Sequence, residues 1–264
     1  MLLAACSSRG ALAPQQLEYL PPTLQSQSPN PAISPVAAAQ ASPTSVAAAP
    51  VAGTNNFSGE TVGAQPTSFV PAVGNWVIGV DGSNKVLVVD GRKWQEGQAS
   101  AGIAEQARSL YGARYAEFLD NVKAYAYFPF AIDKNVQDFR QGEITVRFKP
   151  IDGRIDQGAG IVFNLKPNGN YLIIRANALE NNLVLFKYEK GQRSSVEWVR
   201  NTPTATRQWH ELKVSVTGDQ VKGYLDGKLY LQHTLPAPVS GKVGVWSKAD
   251  SVVYFDDFRV TPSG

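Results

Sequence analysis

The chain has very few residues suited to thiol chemistry or to imidazole metal sites. Cys6 is its only cysteine, and His210 and His233 are its only histidines. A single cysteine excludes an internal disulfide, so the fold must be held by burial and strand pairing. Two histidines separated by a turn and a strand cannot build a metal cluster by themselves. We expect His210 to be structural, with a ring nitrogen bonding a neighbouring loop, and His233 to lie on the surface.

Long apolar runs and runs of one charge are also missing. No stretch approaches the roughly 20 apolar residues needed to cross a bilayer. The 25 basic and 22 acidic residues leave a net charge of +3 and are scattered along the chain. A basic run of the kind that binds a phosphate backbone is absent. We therefore expect the folded domain to be soluble and monomeric and to have no nucleic-acid partner.

The N-terminal quarter differs in composition from the rest of the chain. From Gly10 to about Val73 it is dominated by Ala, Pro, Ser, Gln and Thr. Such a segment cannot bury enough apolar surface to offset the entropy lost on ordering. We expect residues 10–73 to form a disordered, semi-extended linker.

Residues 1–9 carry a candidate lipidation site at Cys6. The sequence Leu-Ala-Ala-Cys at positions 3–6, followed by two serines, resembles the lipobox of bacterial lipoproteins, in which the cysteine is acylated. Only three residues precede its small residues, whereas a signal peptide needs a charged region and an apolar region of about 7 to 15 residues. Either the true start lies upstream, or the tetrapeptide arose by chance in an alanine-rich segment. The resemblance implies a lipid anchor in the bacterial cell envelope, with the domain facing the periplasm or the exterior.

From Gly74 to Pro262 the chain has an all-β pattern. Aromatic and β-branched residues come in short runs, and residues 142–148 alternate between polar and apolar positions. Turn pairs such as Asp226-Gly227 and Ser240-Gly241 divide the runs. So many short strands must close as two packed antiparallel sheets, because one open sheet would expose an apolar face. Residues 103–110 have helical composition and predict one short surface helix.

Motifs in roughly the last 125 residues of the chain carry a family resemblance, which covers residues 74–127 only loosely. Residues 209–214 followed by Leu225-Asp226-Gly227 resemble the late strand-turn-strand motif of laminin-G-like and concanavalin A-like sandwiches. Residues 241–251 and 255–258 are similar to bacterial 3-keto-disaccharide hydrolase (DUF1080) domains of the same lectin/glucanase group. The resemblance implies a concanavalin-like jelly-roll β-sandwich over residues 74–262. It leaves activity open, because this sandwich hosts lectins, glycosidases and protein-binding modules.

The motifs expected of an enzyme on this fold are missing. A glycosidase needs two carboxylates roughly 5 to 10 Å apart. The glucanases of the resembled group place them with a Glu-x-Asp-x-x-Glu spacing on one strand, and no segment here has that spacing. No Gly-x-Ser-x-Gly nucleophile elbow occurs either. We therefore assign no catalytic residue.

Strand alternation around Tyr171 predicts a ligand-binding face. Tyr171, Arg175 and Asn177 share one face of their strand, and Trp246 shares a face with Lys248. Arg and Asn donate hydrogen bonds to vicinal hydroxyls, and aromatic rings stack on sugar C–H faces. Three further residues are expected at the rim: Glu180, Lys187 and Asp250. The alternative is that Arg175 and Lys248 are solvated strand residues and Trp246 is core.

Asp256 and Asp257 are adjacent near the last strand. Related sandwiches often bind a structural ion there, so these two carboxylates predict either a structural calcium site or residues that anchor a turn.

The predicted function is a carbohydrate-binding or glycan-recognition module displayed from a lipid-anchored envelope protein. One alternative is a glycoside hydrolase of the 3-keto-disaccharide type, which two acidic side chains converging on the Tyr171 face would favour. The other is a non-enzymatic adhesion or envelope-scaffold protein, which a large apolar patch would favour.

Overall fold

The computed structural model describes residues 54–95, 128–190 and 192–263. This part of the chain contains strands and one short helix, α1 (Arg92–Gln95). Within these residues, no helix has the length and the apolar composition that a membrane span requires. The strands are, in chain order, β1 (Phe69–Val73), β2 (Trp76–Asp81), β3 (Asn84–Asp90), β4 (Phe130–Asp133), β5 (Gly142–Asp152), β6 (Gly158–Leu165), β7 (Tyr171–Asn177), β8 (Asn182–Glu189), β9 (Gln192–Arg200), β10 (His210–Thr217), β11 (Gln220–Leu225), β12 (Lys228–Thr234), β13 (Lys242–Ser247) and β14 (Val252–Pro262).

The strands form two antiparallel sheets of seven strands each. Sheet 1 has the order β1-β4-β13-β6-β7-β8-β9, and sheet 2 has the order β12-β11-β10-β5-β14-β3-β2. Many neighbours in space are distant in sequence, as when β14 pairs with both β3 and β5. This arrangement is a jelly-roll sandwich, so the predicted fold class is confirmed.

The main core lies between the two sheets. Alternate residues of β5, such as Ile144, Val146 and Phe148, face alternate residues of β7, such as Leu172 and Ile174, and all belong to one buried cluster. The side-chain period of two in a strand explains why the polar residues between them point away. Burying one such side chain contributes about 1.5 to 3 kcal/mol, so this interface supplies the main driving force for folding.

The folded part begins earlier in the sequence than residue 74. Phe57 is only 2% exposed, Asn55 forms a β-bridge with Phe258, and β1 pairs with β4 at the edge of sheet 1. The linker prediction is therefore wrong for residues 54–73, while residues 10–53 lie outside the described residues. Composition misled because β1 is only five residues long and includes Pro71, which an edge strand tolerates.

His210 is a structural residue, as predicted. Its Nδ1 lies 2.7 Å from Asp226 Oδ2, and its Nε2 lies 3.0 Å from the backbone nitrogen of Ala205. The ring thereby fastens the loop before β10 to the Asp226-Gly227 turn. His233 is partly exposed and lies 3.8 Å from Glu197. The predicted helix at residues 103–110 and the lipidation site at Cys6 lie outside the described residues.

Candidate functional site

The strand register brings the predicted ligand residues onto one face of sheet 1. Strand β6 lies between β7 and β13, and Gly160 is paired with Arg175 on one side and Trp246 on the other. A Cβ at Gly158 would lie 3.3 Å from Arg175 Cδ and 3.6 Å from Lys248 Cβ. The glycines of β6 therefore leave room for side chains of the flanking strands to meet. We call this surface, defined by Tyr171, Arg175, Asn177, Trp246 and Lys248, the Arg175 face.

The centre of the Arg175 face is buried, which corrects the prediction that Tyr171, Arg175 and Trp246 form an open ligand-binding face. The alternative is correct for Trp246, which is a core residue, and wrong for Arg175, which is not solvated. Arg175 is 1% exposed, and Tyr171 and Trp246 are fully enclosed. The Tyr171 ring stacks on Tyr188 at 4.3 Å, and Trp246 Nε1 donates to the Tyr171 hydroxyl at 3.4 Å. These rings belong to a second apolar cluster, distinct from the core between the sheets. This packing disfavours direct contact between a ligand and Tyr171, Arg175 or Trp246.

Glu180 is the partly exposed end of a charge network on this face. Its Oε2 accepts hydrogen bonds from Arg175 Nη1 at 3.1 Å, Arg175 Nη2 at 3.0 Å and Asn182 Nδ2 at 2.8 Å. Lys248 Nζ lies 4.0 Å from Glu180 Oε1. Burial acts to raise the pKa of Glu180, but the charges of Arg175 and Lys248 and the donated hydrogen bonds outweigh burial and lower it. Glu180 is therefore held as an anion in a fixed position.

Asp156 is a second carboxylate of the network, and the sequence did not predict it. Lys248 Nζ lies 2.7 Å from Asp156 Oδ2, and Asn177 Nδ2 donates to Asp156 Oδ1 at 2.6 Å. Burial raises the pKa of Asp156, against the opposing effect of Lys248. Asp156 and Glu180 thus shift in opposite directions while both lie within 4.0 Å of one ammonium group. A search for two carboxylates on one strand could not find them, since Asp156 precedes β6 and Glu180 follows β7.

Two of the predicted rim residues have other roles. Asp250 is fully buried, and its carboxylate accepts hydrogen bonds from the backbone N–H groups of Arg154, Ile155 and Asp156. It therefore anchors the loop that carries Asp156. Lys187 alternates with Phe186 on β8, so it points to the other side of sheet 1, where it pairs with Glu189 at 3.0 Å. Of the three predicted rim residues, Glu180 alone is part of an exposed edge of the Arg175 face.

The exposed edge of this face is on β9. The register pairs Val184 with Trp198 and Tyr188 with Arg193, which places both β9 side chains on the Arg175 face. Trp198 is 43% exposed, and its ring meets Phe186 edge-on at 5.9 Å. The Arg193 guanidinium carbon lies 4.6 Å from the centre of the same Phe186 ring.

We define the β9 platform as the exposed side chains on this edge: Arg193, Trp198 and Arg200, with Glu180 beside them. Arg200 is paired with Asn182, which donates to Glu180, so the platform adjoins the charge network. Sequence reasoning missed the platform because it concentrated on β7 and β13. The sequence feature that could have indicated it is Trp198, which lies between charged residues on a strand with several polar positions.

Besides Asp156 Oδ2, which is ion-paired with Lys248, two buried polar atoms of the network have no hydrogen-bond partner in the described part of the chain. They are Arg175 Nε, a donor, and Asn182 Oδ1, an acceptor. Both belong to residues that already donate to Glu180.

Asp256 and Asp257 do not fit a calcium site. Asp256 Oδ2 accepts from Asn84 Nδ2 at 2.7 Å, and Asp256 Oδ1 accepts from the Asp257 backbone N–H at 2.8 Å. Asp257 pairs with Arg147 at 3.3 Å. Donor groups thus face these carboxylates, whereas a calcium site needs several oxygen ligands around the cation. The alternative of a turn anchor agrees with this geometry, because Asp257 lies at an irregularity in β14 with φ of 49°.

A cavity of about 580 Å³ lies at the opposite end of sheet 1, between the segment that contains Phe57 and the end of β4. Its acidic residues serve the local fold. Glu60 accepts four hydrogen bonds from Thr67 and Ser68, and Asp133 accepts from the backbone of Asn135 and Val136. The carboxylates of this cavity therefore anchor loops, and the exposed aromatic platform lies elsewhere.

Comparisons with known proteins support the fold. No protein-family model matches the chain, and no curated protein matches it. Carbohydrate-binding module CBM66 from Bacillus subtilis is similar in structure, with a TM-score of 0.52 and 15% identity over 75% of this chain and 98% of that one. The Crh5 transglycosylase has a TM-score of 0.47 and 14% identity over 80% and 84% of the two chains. The Bacillus licheniformis β-glucanase has a TM-score of 0.38 and 16% identity over 52% and 71%.

At 15% identity the likeness to the CBM66 module shows the fold alone, which is a jelly-roll β-sandwich. The narrower resemblance to 3-keto-disaccharide hydrolase domains stays a prediction.

Proposed function

We propose that this domain is a carbohydrate-binding module that holds a glycan on the β9 platform. The observation that carries the proposal is the exposed Trp198 ring, which lies on the same face as the Glu180 network. The fold likeness to a carbohydrate-binding module supports the same class of ligand. The proposal moves the ligand from the buried centre of the Arg175 face, where the sequence predicted it, to its open edge.

The chemistry of the platform suits a sugar. An exposed indole offers a flat apolar surface for the C–H face of a pyranose or furanose ring. Guanidinium groups of Arg193 and Arg200 donate hydrogen bonds to hydroxyl oxygens, and the Glu180 carboxylate accepts hydrogen bonds from hydroxyl groups. An aromatic ring for stacking, hydrogen-bond donors and a hydrogen-bond acceptor thus lie together on one edge of the sheet.

The buried network supports the platform by fixing Glu180. Two nitrogens of a fully buried guanidinium and one amide nitrogen all donate to a single oxygen of this carboxylate. A side chain held in this way loses little rotamer freedom when a ligand binds, which reduces the entropic cost of association. In this proposal Arg175 and Asn182 are positioning residues for Glu180.

The test is glycan binding by the Trp198→Ala variant. A glycan-array screen followed by titration calorimetry should show binding by the unaltered protein and a loss of about tenfold or more in the variant. Leu229→Ala is the matched control, because Leu229 is 44% exposed on β12, the edge strand of sheet 2. Full binding by Trp198→Ala, or the same loss in Leu229→Ala, would contradict a site on the β9 platform.

A glycoside hydrolase is the second candidate, and the pair of Asp156 and Glu180 favours it. One carboxylate with a raised pKa and one with a lowered pKa form the combination that a general acid and its partner require. The full burial of Asp156 favours binding instead, because a general acid has to reach the glycosidic oxygen. Release of reducing sugar by the protein, abolished in Asp156→Asn and Glu180→Gln, would establish hydrolysis and overturn the binding-only proposal.

Display of the domain from the cell envelope through an acylated Cys6 is a further part of the proposal. It is supported by the resemblance of positions 3–6 to a lipobox. A semi-extended linker of the composition found in residues 10–53 would hold the module away from a membrane surface.

A further inference from the structure

Among the described residues, no acidic side chain pairs with either of the two arginines of the β9 platform. Arg193 and Arg200 are both exposed, and among the described residues no carboxylate lies within ion-pair distance of either. The Arg193 guanidinium lies instead over aromatic rings, at 4.6 Å from the centre of Phe186 and 5.1 Å from that of Phe128. The two guanidinium groups are therefore accessible to solvent or to a ligand.

The acidic residues near these arginines are engaged elsewhere. Glu180 is compensated by Arg175 and Lys248. Glu197 is paired with Leu185 in the register, which puts it on the other side of sheet 1, and it lies 3.8 Å from His233. Glu189 pairs with Lys187 at 3.0 Å. The platform therefore carries positive charge that no carboxylate of the described residues neutralises through an ion pair.

The positions of the two arginines bracket the exposed indole. Arg200 follows Trp198 by two residues, so their Cα atoms are about 7 Å apart on the same face of the strand. Arg193 reaches the Phe186 ring that Trp198 also contacts. A sugar ring stacked on Trp198 would thus have a guanidinium within reach on either side.

We infer that the β9 platform selects acidic oligosaccharides, with Arg193 and Arg200 each binding the carboxylate of a uronic acid residue. A planar guanidinium matches a carboxylate with two parallel hydrogen bonds, which a neutral hydroxymethyl group cannot reproduce. This inference rests on the proposed carbohydrate-binding function and adds the chemical class of the ligand.

The experiment compares matched pairs of oligosaccharides by calorimetry on the full chain. The probes are galacturonan, glucuronan and alginate fragments, each measured beside its carboxyl-reduced neutral counterpart, which has the same linkages. For at least one pair the acidic member should bind about tenfold or more tightly, because a hydrogen bond between charged groups is stronger than a neutral one. Its affinity should fall as salt is raised from 0.15 M to 1 M, where the screening length drops from about 8 Å to about 3 Å.

Substitutions assign the effect to the two arginines. Arg193→Gln and Arg200→Gln should each remove most of the preference for the acidic member. Affinity for the neutral member should fall much less, because the glutamine amide still donates hydrogen bonds to hydroxyl oxygens. Arg207→Gln is the matched control, because Arg207 is exposed, lies outside sheet 1 and is also without a carboxylate partner among the described residues. Thermal denaturation of each variant checks that the fold is retained.

The outcomes separate the inference from the proposed function. Equal binding of acidic and neutral members overturns the acidic preference and leaves carbohydrate binding in place. Preference that survives in both Arg193→Gln and Arg200→Gln overturns the assigned residues. Binding of neither member of any pair, together with an empty glycan array, overturns both the inference and the proposed function.

Discussion

The outer faces of the two sheets are built from the same alternating pattern, yet their charged residues lie in opposite environments. On sheet 2, Arg147 pairs with Asp257 at 3.3 Å, and the two side chains are 42% and 39% exposed. Lys213 of the same face pairs with Glu143 and lies 4.4 Å from the Tyr224 ring centre. On sheet 1, Arg175 occupies an equivalent outward position and is 1% exposed.

The difference matters because the environment decides what an ion pair is worth. The exposed pairs of sheet 2 are screened by water and contribute little each. The Arg175 guanidinium has been removed from water, so its charge depends on Glu180 and on nearby groups for compensation. Outward-facing charged residues therefore contribute little to stability on sheet 2, whereas on sheet 1 the buried Arg175 is required for stability.

The largest expected effect is that of Arg175→Ala on folding stability. Removing one member of a buried ion pair costs about 3 to 5 kcal/mol, because it leaves an uncompensated charge and an unfilled volume. Urea denaturation at pH 7 measures the change in the free energy of unfolding. A loss below about 1 kcal/mol would mean that the Arg175 face is as solvated as the outer face of sheet 2.

Glu180→Gln should have a smaller effect that depends on pH. The pKa of Glu180 is lowered from its ordinary value of 4.5, so its contribution is fully present above pH 4.5 and is lost as pH falls through the folded-state pKa. We expect a destabilisation of about 1 to 3 kcal/mol at pH 7, reduced from the fully buried case because a third of the side chain is exposed. Denaturation curves at pH 7 and pH 3 should show the difference from the unaltered protein shrinking at the lower pH.

Asp156→Asn is the control for this experiment, because the stability contributed by Asp156 should change with pH in the opposite direction. The raised pKa of Asp156 means that its contribution is present below its ordinary value of 3.8 and declines as pH rises through the folded-state pKa. The unaltered protein should therefore lose more stability between pH 3 and pH 7 through this residue than the Asn variant does. Parallel pH profiles for Glu180→Gln and Asp156→Asn would contradict the opposite shifts of the two carboxylates.

The smallest expected effect is that of Arg147→Ala on sheet 2. Its pairing with Asp257 is exposed, and its guanidinium stacks 4.8 Å from the Trp209 ring centre. Exposed ion pairs contribute about 0 to 1 kcal/mol, and an exposed cation over an aromatic ring about 0.5 to 1 kcal/mol. Denaturation of Arg147→Ala beside Arg175→Ala tests the comparison directly, since equal losses would remove the distinction between the two faces.

Part of the candidate site was readable from the sequence. Alternation placed Tyr171, Arg175 and Asn177 on one side of β7, opposite Leu172 and Ile174, and this assignment is correct. It also paired Trp246 with Lys248 on the matching side of β13. It could not find Asp156, because that carboxylate comes from a loop and meets Asn177 only through the pairing of β6 with β7.

At the start of the domain, the sequence led to the opposite error, because a folded segment was assigned to a disordered linker. Residues 54–73 have the composition of a linker, and composition is an average over many residues. The packing of this segment depends on only a few of its residues. The ring centres of Phe57 and Phe69 lie 5.8 Å apart, and those of Phe69 and Phe258 lie 5.1 Å apart. Two aromatic side chains thus tie to the core a segment that its average composition assigned to solvent.

The sequence by itself determined the fold class, the number of sheets and which residues share a face, because a strand has a fixed side-chain period of two. It also predicted the structural role of His210, whose ring nitrogen bonds a neighbouring loop. Only the tertiary structure decided whether a face is open or enclosed, since that depends on packing from residues far away in the chain. The enclosed Arg175 and the exposed Trp198 lie on one face of one sheet, and packing alone distinguishes the residue that supports the fold from the residue that meets solvent.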